Sequence, residues 1–196
     1  MSDIFNLSKE DASTPISFDL TKALVDSGIA IPSSIRLGAG WDMPEGQAKM
    51  DVDLSVATIT ADGKLTGKDH FAFFSQRSVP GIELSEDDRT GDSSVGGDDE
   101  WAIVKLDELA DGGVGIIGSL SVFEDSESRG LSSAGECYIR VVNEDTGEEM
   151  VRVQMTDLNS DAANLIKVTK DNGNIVVEAI ETPIQGDLNA VVASLQ

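Results

Sequence analysis

Apolar and polar residues alternate with a period of two over much of this chain, and this pattern constrains its fold more than any other feature. In residues 50–60 the alternation gives an extended strand one apolar and one polar face, which is typical of a half-buried β-strand. Further strand-like apolar segments follow: residues 101–106, 114–123, 137–142, 149–155, 165–168 and 175–179. Turn residues at 62–63, 143–147 and 171–174 predict hairpins between neighbouring segments.

Many short strands at regular spacing predict an all-β fold, an antiparallel β-sandwich of two sheets. Helical signals are few and predict one or two short helices, at residues 21–26 and at 187–195, the second capped by Asp187. No repeat, linker or low-complexity tract divides the chain. We therefore expect one domain, in which residues 1–39 form an N-terminal strand and short-helix segment and residues 40–196 form the sandwich.

The charge balance restricts the partners of this chain. With 36 acidic and 14 basic residues the formal net charge is −22, which argues against direct binding to nucleic acid or bare anionic lipid, because both attract cationic surfaces. Cations or basic protein partners fit this charge better. No run of about 18 apolar residues is present to enter a membrane, and the acidic N-terminus lacks the features of a signal peptide. These features predict a cytoplasmic protein, or one that leaves the cell in an assembled particle.

A loop at residues 86–100 concentrates the negative charge, with seven carboxylates and one basic residue among fifteen positions. Carboxylates are hard oxygen ligands that suit Ca²⁺, or Mg²⁺ when several waters are retained. The loop is not an EF-hand, because the sixth position counted from Asp88 is Ser93 rather than glycine, and the twelfth is Asp99 rather than glutamate. Composition leaves two interpretations open, a cation site and a solvated acidic turn.

Other carboxylates could reach the same site. Asp51 and Asp53 lie on one face of the strand at residues 50–60, about 7 Å apart at the usual rise per residue. Asp42 follows Trp41 directly. The complete set of candidate metal ligands is Asp42, Asp51, Asp53, Asp87, Asp88, Asp92, Asp98, Asp99 and Glu100.

Catalytic chemistry has few candidates. His70 is the only histidine and adjoins a strand-like aromatic segment, so we expect a structural or surface role for it. Cys137 is the only cysteine, which excludes an internal disulfide, and its place in an alternating strand indicates packing. No phosphate-binding glycine motif is present. We therefore expect no enzyme activity; metal-dependent hydrolysis by carboxylates is the enzymatic alternative that the residues leave open.

Several motifs occur in a fixed order between residue 40 and about residue 155. They are Gly40-Trp41-Asp42, Met50-Asp51-Val52-Asp53-Leu54-Ser55, Asp62-Gly63-Lys64, Asp87-Asp88-Arg89-Thr90-Gly91, Gly97-Asp98-Asp99-Glu100 and Tyr138-Ile139-Arg140-Val141-Val142-Asn143. In this order the set resembles the TerD family of tellurite-resistance and stress-response proteins. Single motifs of this kind are weak signals, whereas the ordered set is specific.

The resemblance implies a β-sandwich that binds one or two Ca²⁺ ions through the acidic loop and has no enzymatic activity. It also implies protein partners, in multiprotein complexes peripheral to the inner face of the bacterial membrane. On this basis the leading hypothesis is a Ca²⁺-binding interaction module of a bacterial tellurite-resistance or stress-response system.

The chain also departs from the family pattern. Residues 93–96 make the acidic loop about two residues longer, Glu124 replaces a histidine, and residues 25–34 form an additional segment. These departures motivate an alternative function, a structural component of a phage or virion assembly that uses the same fold and forms homo-oligomers.

Overall fold

The computed structural model describes residues 5–6, 16–91, 97–124, 128–134, 136–155 and 159–196. Within these residues the chain forms two sheets that pack face to face. The first has seven strands in the order β1 (Phe5–Asn6), β11 (Glu149–Gln154), β10 (Glu136–Asn143), β3 (Ile35–Asp42), β8 (Glu100–Val104), β7 (Ile82–Leu84) and β6 (Ser78–Val79). The second has six in the order β2 (Ile16–Asp19), β13 (Asn174–Ile184), β12 (Ala162–Asp171), β9 (Gly115–Val122), β4 (Val52–Ile59) and β5 (Phe71–Ala72).

Neighbouring strands are antiparallel, apart from the parallel pairing of β1 with β11. The hairpin prediction at residues 143–147 corresponds to the β10–β11 connection, and that at 171–174 to the β12–β13 connection. Gly147 and Gly173 adopt φ of 74° and 86° in these turns, a conformation that favours glycine. The turn residues of the sequence therefore set the strand connections directly.

Two short helices complete the fold. Helix α1 (Leu20–Asp26) is capped by Asp19, which accepts a hydrogen bond from the Lys22 backbone N–H at 2.8 Å. Helix α2 (Leu188–Ser194) is capped by Asp187. Short 3₁₀ turns occur at Lys68–His70 and Leu131–Ser133. The two-sheet sandwich with short helices confirms the predicted fold class. No helix in the described ranges is long and apolar enough to cross a membrane.

The core lies between the two sheets. In β4, Val52, Leu54 and Val56 are fully buried there, as the alternation predicts. A smaller apolar cluster lies on the outer face of the six-stranded sheet and includes Ile59 of β4 and Val191 of α2. Helix α2 therefore covers part of this outer face.

One end of the sandwich brings acidic residues of both sheets together. In the six-stranded sheet, the first residue of β4, Val52, pairs with the last residue of β9, Val122. In the seven-stranded sheet, β8 begins at Glu100, directly after the acidic loop. A hydrogen bond from the Leu54 backbone to Glu100 joins the two sheets at this end. The acidic loop therefore lies beside the start of β4.

Candidate metal centre

Three aspartates converge at this end of the sandwich. Asp51 precedes β4, Asp53 is the second residue of β4, and Asp87 belongs to the loop between β7 and β8. Each offers one carboxylate oxygen, and these oxygens lie within 4.8 Å of one another. Asp51 and Asp53 share a face because side chains two positions apart in a strand point the same way. Asp87 reaches them from a loop between strands of the opposite sheet, so both sheets build the cluster.

The burial of Asp53 and of one oxygen of Asp51 distinguishes this cluster from an ordinary acidic surface. The side chain of Asp53 is 3% exposed. Oδ1 of Asp51 is also buried without a hydrogen-bond partner among the residues described. Burying an ionised carboxylate costs several kcal/mol unless a partner charge or hydrogen bonds compensate. A bound cation would supply that compensation.

Burial and repulsion between the carboxylates also raise the pKa values of Asp51 and Asp53. Burial, with repulsion from Asp87, raises the pKa of Asp51 to about 6. Burial, with repulsion from Asp51 and Asp87, raises the pKa of Asp53 to about 7. The positive charge of Arg89 partly opposes both shifts. Near neutral pH the cluster thus holds protons that an incoming cation would displace.

A small cavity lies between these carboxylates. Its volume is about 30 Å³, more than the minimum of about 10–15 Å³ that a cavity needs to hold one water molecule. Besides the three aspartates it is lined by Arg89, Phe74 and Phe123. The two phenylalanine rings form an edge-to-face pair with centroids 5.6 Å apart. The cavity therefore has an acidic floor and an apolar wall, and its size suits one ion.

Glu100 lies at the same end of the sandwich and accepts hydrogen bonds from two backbone N–H groups. Its Oε2 accepts a hydrogen bond from the Leu54 backbone at 2.7 Å, and its Oε1 accepts one from the Asp88 backbone at 3.1 Å. Among the described residues, β5 pairs with β4 at Val56 and Ala57 and does not extend to Leu54. Glu100 accepts the hydrogen bond of the Leu54 N–H instead. Burial raises the pKa of Glu100 to about 8, although the two N–H donors oppose this shift. Glu100 thus connects β8, β4 and the acidic loop.

Asp99 and Asp88 stabilise the backbone close to the cluster. Oδ2 of Asp99 accepts a hydrogen bond from the Trp41 backbone at 2.9 Å, and the Asp99 N–H donates to Ala39 at 2.8 Å. Oδ1 of Asp88 accepts hydrogen bonds from the backbone and hydroxyl of Thr90 at 2.9 and 3.0 Å. These bonds shape the two ends of the acidic loop.

Asp98 lies on the outer face of the seven-stranded sheet, where its side chain is fully buried. Its Oδ1 accepts hydrogen bonds from Nε of Arg140 at 2.6 Å and from the Tyr138 hydroxyl at 3.1 Å. It occupies the space above Gly38, where a Cβ atom would lie 2.2 Å from Oδ2 of Asp98. Arg140 also pairs with Glu149 at 2.8 Å. Asp98 therefore anchors the exit of the acidic loop to β3 and β10.

The nine predicted ligands thus separate into groups. Asp51, Asp53 and Asp87 form the cluster, whereas Asp88, Asp98, Asp99 and Glu100 accept the hydrogen bonds described above. Asp42 is exposed at the end of β3, and Asp92 lies outside the described residues.

Sequence reasoning missed several features of the site. It did not identify the aromatic wall of Phe74 and Phe123, or Arg89 as a lining residue. It also treated Glu100 only as a ligand. Alternation from Ala102 and Val104 back to Glu100 places this side chain on the inner face of β8, and that signal could have indicated its bonds to the opposite sheet.

The fold and the site together define a class of protein, a two-sheet β-sandwich with a carboxylate-lined cavity at one end. Residues 21–195 match the family model of the TerD domain. The chain is 31% identical over 168 residues to a tellurium resistance protein TerD from Alcaligenes sp., covering 82% of this chain and 85% of that protein. It is 29% identical over 178 residues to general stress protein 16U of Bacillus subtilis (strain 168), covering 87% and 88%.

A solved structure shares the same fold. The crystal structure of a homologue of telluride resistance protein (TerD) from Streptomyces coelicolor A3(2) superposes with a TM-score of 0.66 at 18% identity, covering 83% of this chain and 96% of that chain. The chain belongs to the TerD family. This result confirms the resemblance that the ordered motifs indicate. The chain is thus related to tellurite-resistance and stress proteins.

Proposed function

We propose that this chain is a Ca²⁺-binding, non-enzymatic interaction module of a bacterial tellurite-resistance or stress-response system. The observation that carries the proposal is the convergence of Asp51, Asp53 and Asp87, whose carboxylate oxygens lie within 4.8 Å of one another around a small cavity. The burial of Asp53, together with the burial of Oδ1 of Asp51 without a hydrogen-bond partner in the described ranges, supports a cation as the missing partner.

The donor set favours Ca²⁺ over softer metals. All three donors are carboxylate oxygens, whereas soft metals prefer sulfur ligands and many transition metals prefer imidazole. Ca²⁺ takes about six to eight oxygen ligands with flexible geometry, so three carboxylates leave positions for water or for a partner. Mg²⁺ demands a stricter octahedral arrangement and retains its waters. We therefore expect Ca²⁺ to bind more tightly than Mg²⁺.

The surroundings of two potentially reactive side chains support a non-enzymatic role. Nδ1 of His70 lies 3.0 Å from the Thr66 hydroxyl, and Cys137 is buried in the core between the sheets. Burial raises the pKa of the Cys137 thiol well above its usual value, which disfavours a thiolate nucleophile. We expect no turnover of phosphate esters in the presence of Mg²⁺ or Mn²⁺, and measurable turnover would contradict this part of the proposal.

The position of Asp87 in the acidic loop supports the proposed interaction role. A cation between Asp87 and β4 would cancel repulsion and join the loop to the six-stranded sheet. The loop surface would then present one defined shape to protein partners. The names of the relatives, a tellurium resistance protein and a general stress protein, supply the cellular context of the proposal.

Thermal unfolding with and without Ca²⁺ tests the cation site. We expect millimolar Ca²⁺ to raise the Tm of the wild type, because a ligand that binds only the folded state stabilises it. Asp87→Asn should lose most of this shift. Asp111→Asn removes a similar charge from an exposed position outside the cluster and should retain the shift. An unchanged Tm of the wild type, or an equal shift in Asp87→Asn, would contradict the assignment.

A further inference from the structure

Arg89 lies at the cavity between the three carboxylates. Its Nε is 3.2 Å from Oδ2 of Asp87, and it lines the cavity beside Asp51 and Asp53. The Arg89 side chain is 77% exposed, whereas that of Asp87 is 26% exposed. The guanidinium thus approaches the cluster from the solvent side. Its position is close to where the positive charge of a bound ion would act.

One guanidinium acts on more than one carboxylate of the cluster. Arg89 pairs with Asp87. Its positive charge also makes the pKa values of Asp51 and Asp53 rise less than burial and the repulsion of neighbouring carboxylates alone would cause. Asp88 also acts on Asp51, and it adds to the repulsion. With three ionised aspartates, Arg89 reduces the cluster charge from −3 to −2. Arg89 therefore provides part of the compensation that a cation would provide in full.

We propose that Arg89 is a tethered counter-ion of the cation-free site, and that it competes with the divalent ion and thereby sets the affinity of the site. This inference rests on the proposed Ca²⁺ function. Arg89 stabilises the acidic cluster while no ion is bound. When an ion occupies the cavity, the guanidinium turns out into solvent, because two cations that share the same carboxylates repel each other.

The pairing of Arg89 with Asp87 suits a counter-ion that can be displaced. An exposed ion pair contributes only modestly to stability, so a divalent ion can displace the guanidinium into water at a modest cost. A divalent ion carries twice the charge and can contact several oxygens at once, so it replaces Arg89 when its concentration is sufficient. The competition nevertheless weakens ion binding. From Coulomb's law at partly screened distances, removing Arg89 should tighten Ca²⁺ binding about threefold to tenfold.

Calorimetric titration of Ca²⁺ into wild type, Arg89→Gln and Arg77→Gln tests the competition. Arg77 also pairs with a carboxylate, Glu86 at 3.8 Å, and its side chain is 45% exposed. Its substitution therefore removes the same charge from outside the cavity. We expect Arg89→Gln to bind about threefold to tenfold more tightly at low salt, and less so near 0.5 M salt. Arg77→Gln should stay within about twofold of the wild type.

Two results of this titration would overturn the inference. Unchanged or weaker binding by Arg89→Gln would mean that the guanidinium orders the site instead of competing for it. An equal gain in Arg77→Gln would mean that the effect comes from the overall charge of the protein.

A second measurement needs no metal ion. The thermal stabilities of wild type, Arg89→Gln, Asp87→Asn and the double variant are compared in chelator at low salt, as a double-mutant cycle. We expect Arg89→Gln to lower the Tm of the wild type and to have a smaller effect in the Asp87→Asn background, where only the charges of Asp51 and Asp53 remain to act on the guanidinium. Additive effects would overturn the counter-ion assignment.

The two experiments separate the inference from the function on which it rests. Coupling of Arg89 to Asp87 without Ca²⁺ binding by any variant would uphold the counter-ion and reject the calcium function. Saturable Ca²⁺ binding without this coupling, and without a gain in Arg89→Gln, would uphold the calcium function and reject the counter-ion.

Discussion

Asp53 occupies a position in β4 that normally suits an uncharged side chain. Its neighbours Val52 and Leu54 are buried in the central core, and Asp53 itself is 3% exposed on the opposite face. It pairs across the sheet with Ser121 of β9. A carboxylate in such surroundings destabilises the fold unless a cation neutralises it. At the proposed cation site, this residue would therefore link the stability of the cation-free protein to its cation affinity.

Asp53→Asn separates these two effects. In chelator near pH 8 we expect the variant to be at least as stable as the wild type, because the amide removes a buried negative charge. Addition of Ca²⁺ should then raise its Tm much less than that of the wild type. Asp69→Asn, at an exposed position in a 3₁₀ turn, is the matched control and should respond to Ca²⁺ normally. A full Ca²⁺ response in Asp53→Asn would exclude Asp53 as a ligand.

The raised pKa values of three carboxyl groups predict how stability depends on pH. Asp51, Asp53 and Glu100 have pKa values of about 6, 7 and 8, mainly because of burial. Because these pKa values exceed those of ordinary carboxyl groups, the folded state binds more protons than the unfolded state between about pH 4 and pH 8. The contribution of these groups to stability therefore falls as pH rises through that window.

Ca²⁺ should reverse this trend, because ion binding displaces the same protons. We expect the Tm gain from Ca²⁺ to be larger near pH 8 than near pH 5.5, and Ca²⁺ affinity to rise over the same range. Thermal unfolding in chelator and in Ca²⁺ at matched ionic strength measures both. Equal Ca²⁺ affinity at the two pH values would contradict the assignment of protonated carboxyl groups to the site.

At the scale of elements, Glu100 holds strands of opposite sheets together. Glu100→Gln retains one acceptor oxygen, so one of the two N–H donors, from Leu54 or Asp88, is left unpaired. We expect a loss of about 1–3 kcal/mol in the free energy of unfolding, measured by urea denaturation. Glu83→Gln on β7 changes an exposed glutamate in the same sheet and serves as the control. Equal stability of the two variants would show that the bonds of Glu100 contribute little.

Strand β3 depends on glycine where the acidic loop packs on it. A Cβ at Gly38 would lie 2.2 Å from Oδ2 of Asp98, so Gly38→Ala should displace Asp98 from Arg140. We expect a loss of about 1–3 kcal/mol, typical of overpacking, measured by chemical denaturation. The control is Gly67→Ala, where the extended backbone accepts alanine and the nearest atom is Nδ1 of His70 at 3.2 Å. A loss no greater than in the control would show that Asp98 moves freely.

Two glycines within β3 explain why the sequence pattern does not identify this segment as a strand. Gly38 and Gly40 take the outward positions of β3, and glycine in a strand interior normally weakens it. Here the missing side chains make room for Asp98 and Tyr138, which come from distant parts of the chain. Strands β10 to β13 carry no such conflict, and their alternation and turn residues predict two hairpins. Local pattern thus predicts an element when its packing requires no exception.

At the scale of the whole molecule, the site exists only when the two sheets are packed together. Asp53 lies in β4 of one sheet and Asp51 directly before that strand, and Asp87 comes from a loop between strands of the other sheet. Binding of the proposed cation would therefore be coupled to folding, and Ca²⁺ should stabilise the complete sandwich rather than a single loop. The net charge of −22 adds to the need for cations, because like charges repel in the compact state.

The local sequence pattern predicts the segments that form the site, but not which of their carboxylates meet. Carboxylate composition and the ordered motifs indicate the acidic loop and the start of β4, which include all three residues of the cluster. They do not distinguish Asp87 from Asp98, since the side chain of Asp98 points to Arg140 on the outer face of the seven-stranded sheet. That difference arises from the packing of the loop against β3 and β10, which no local pattern encodes.

We propose that Asp51, Asp53 and Asp87 hold a divalent cation at one end of a TerD-family sandwich. A crystal structure of the protein grown with Ca²⁺ tests it most directly. We predict an ion in the cavity beside Phe74 and Phe123, with an oxygen of each aspartate about 2.3–2.6 Å from it and Arg89 turned out into solvent. A cavity without an ion at saturating Ca²⁺, or an ion held elsewhere without these three aspartates, would contradict the claim.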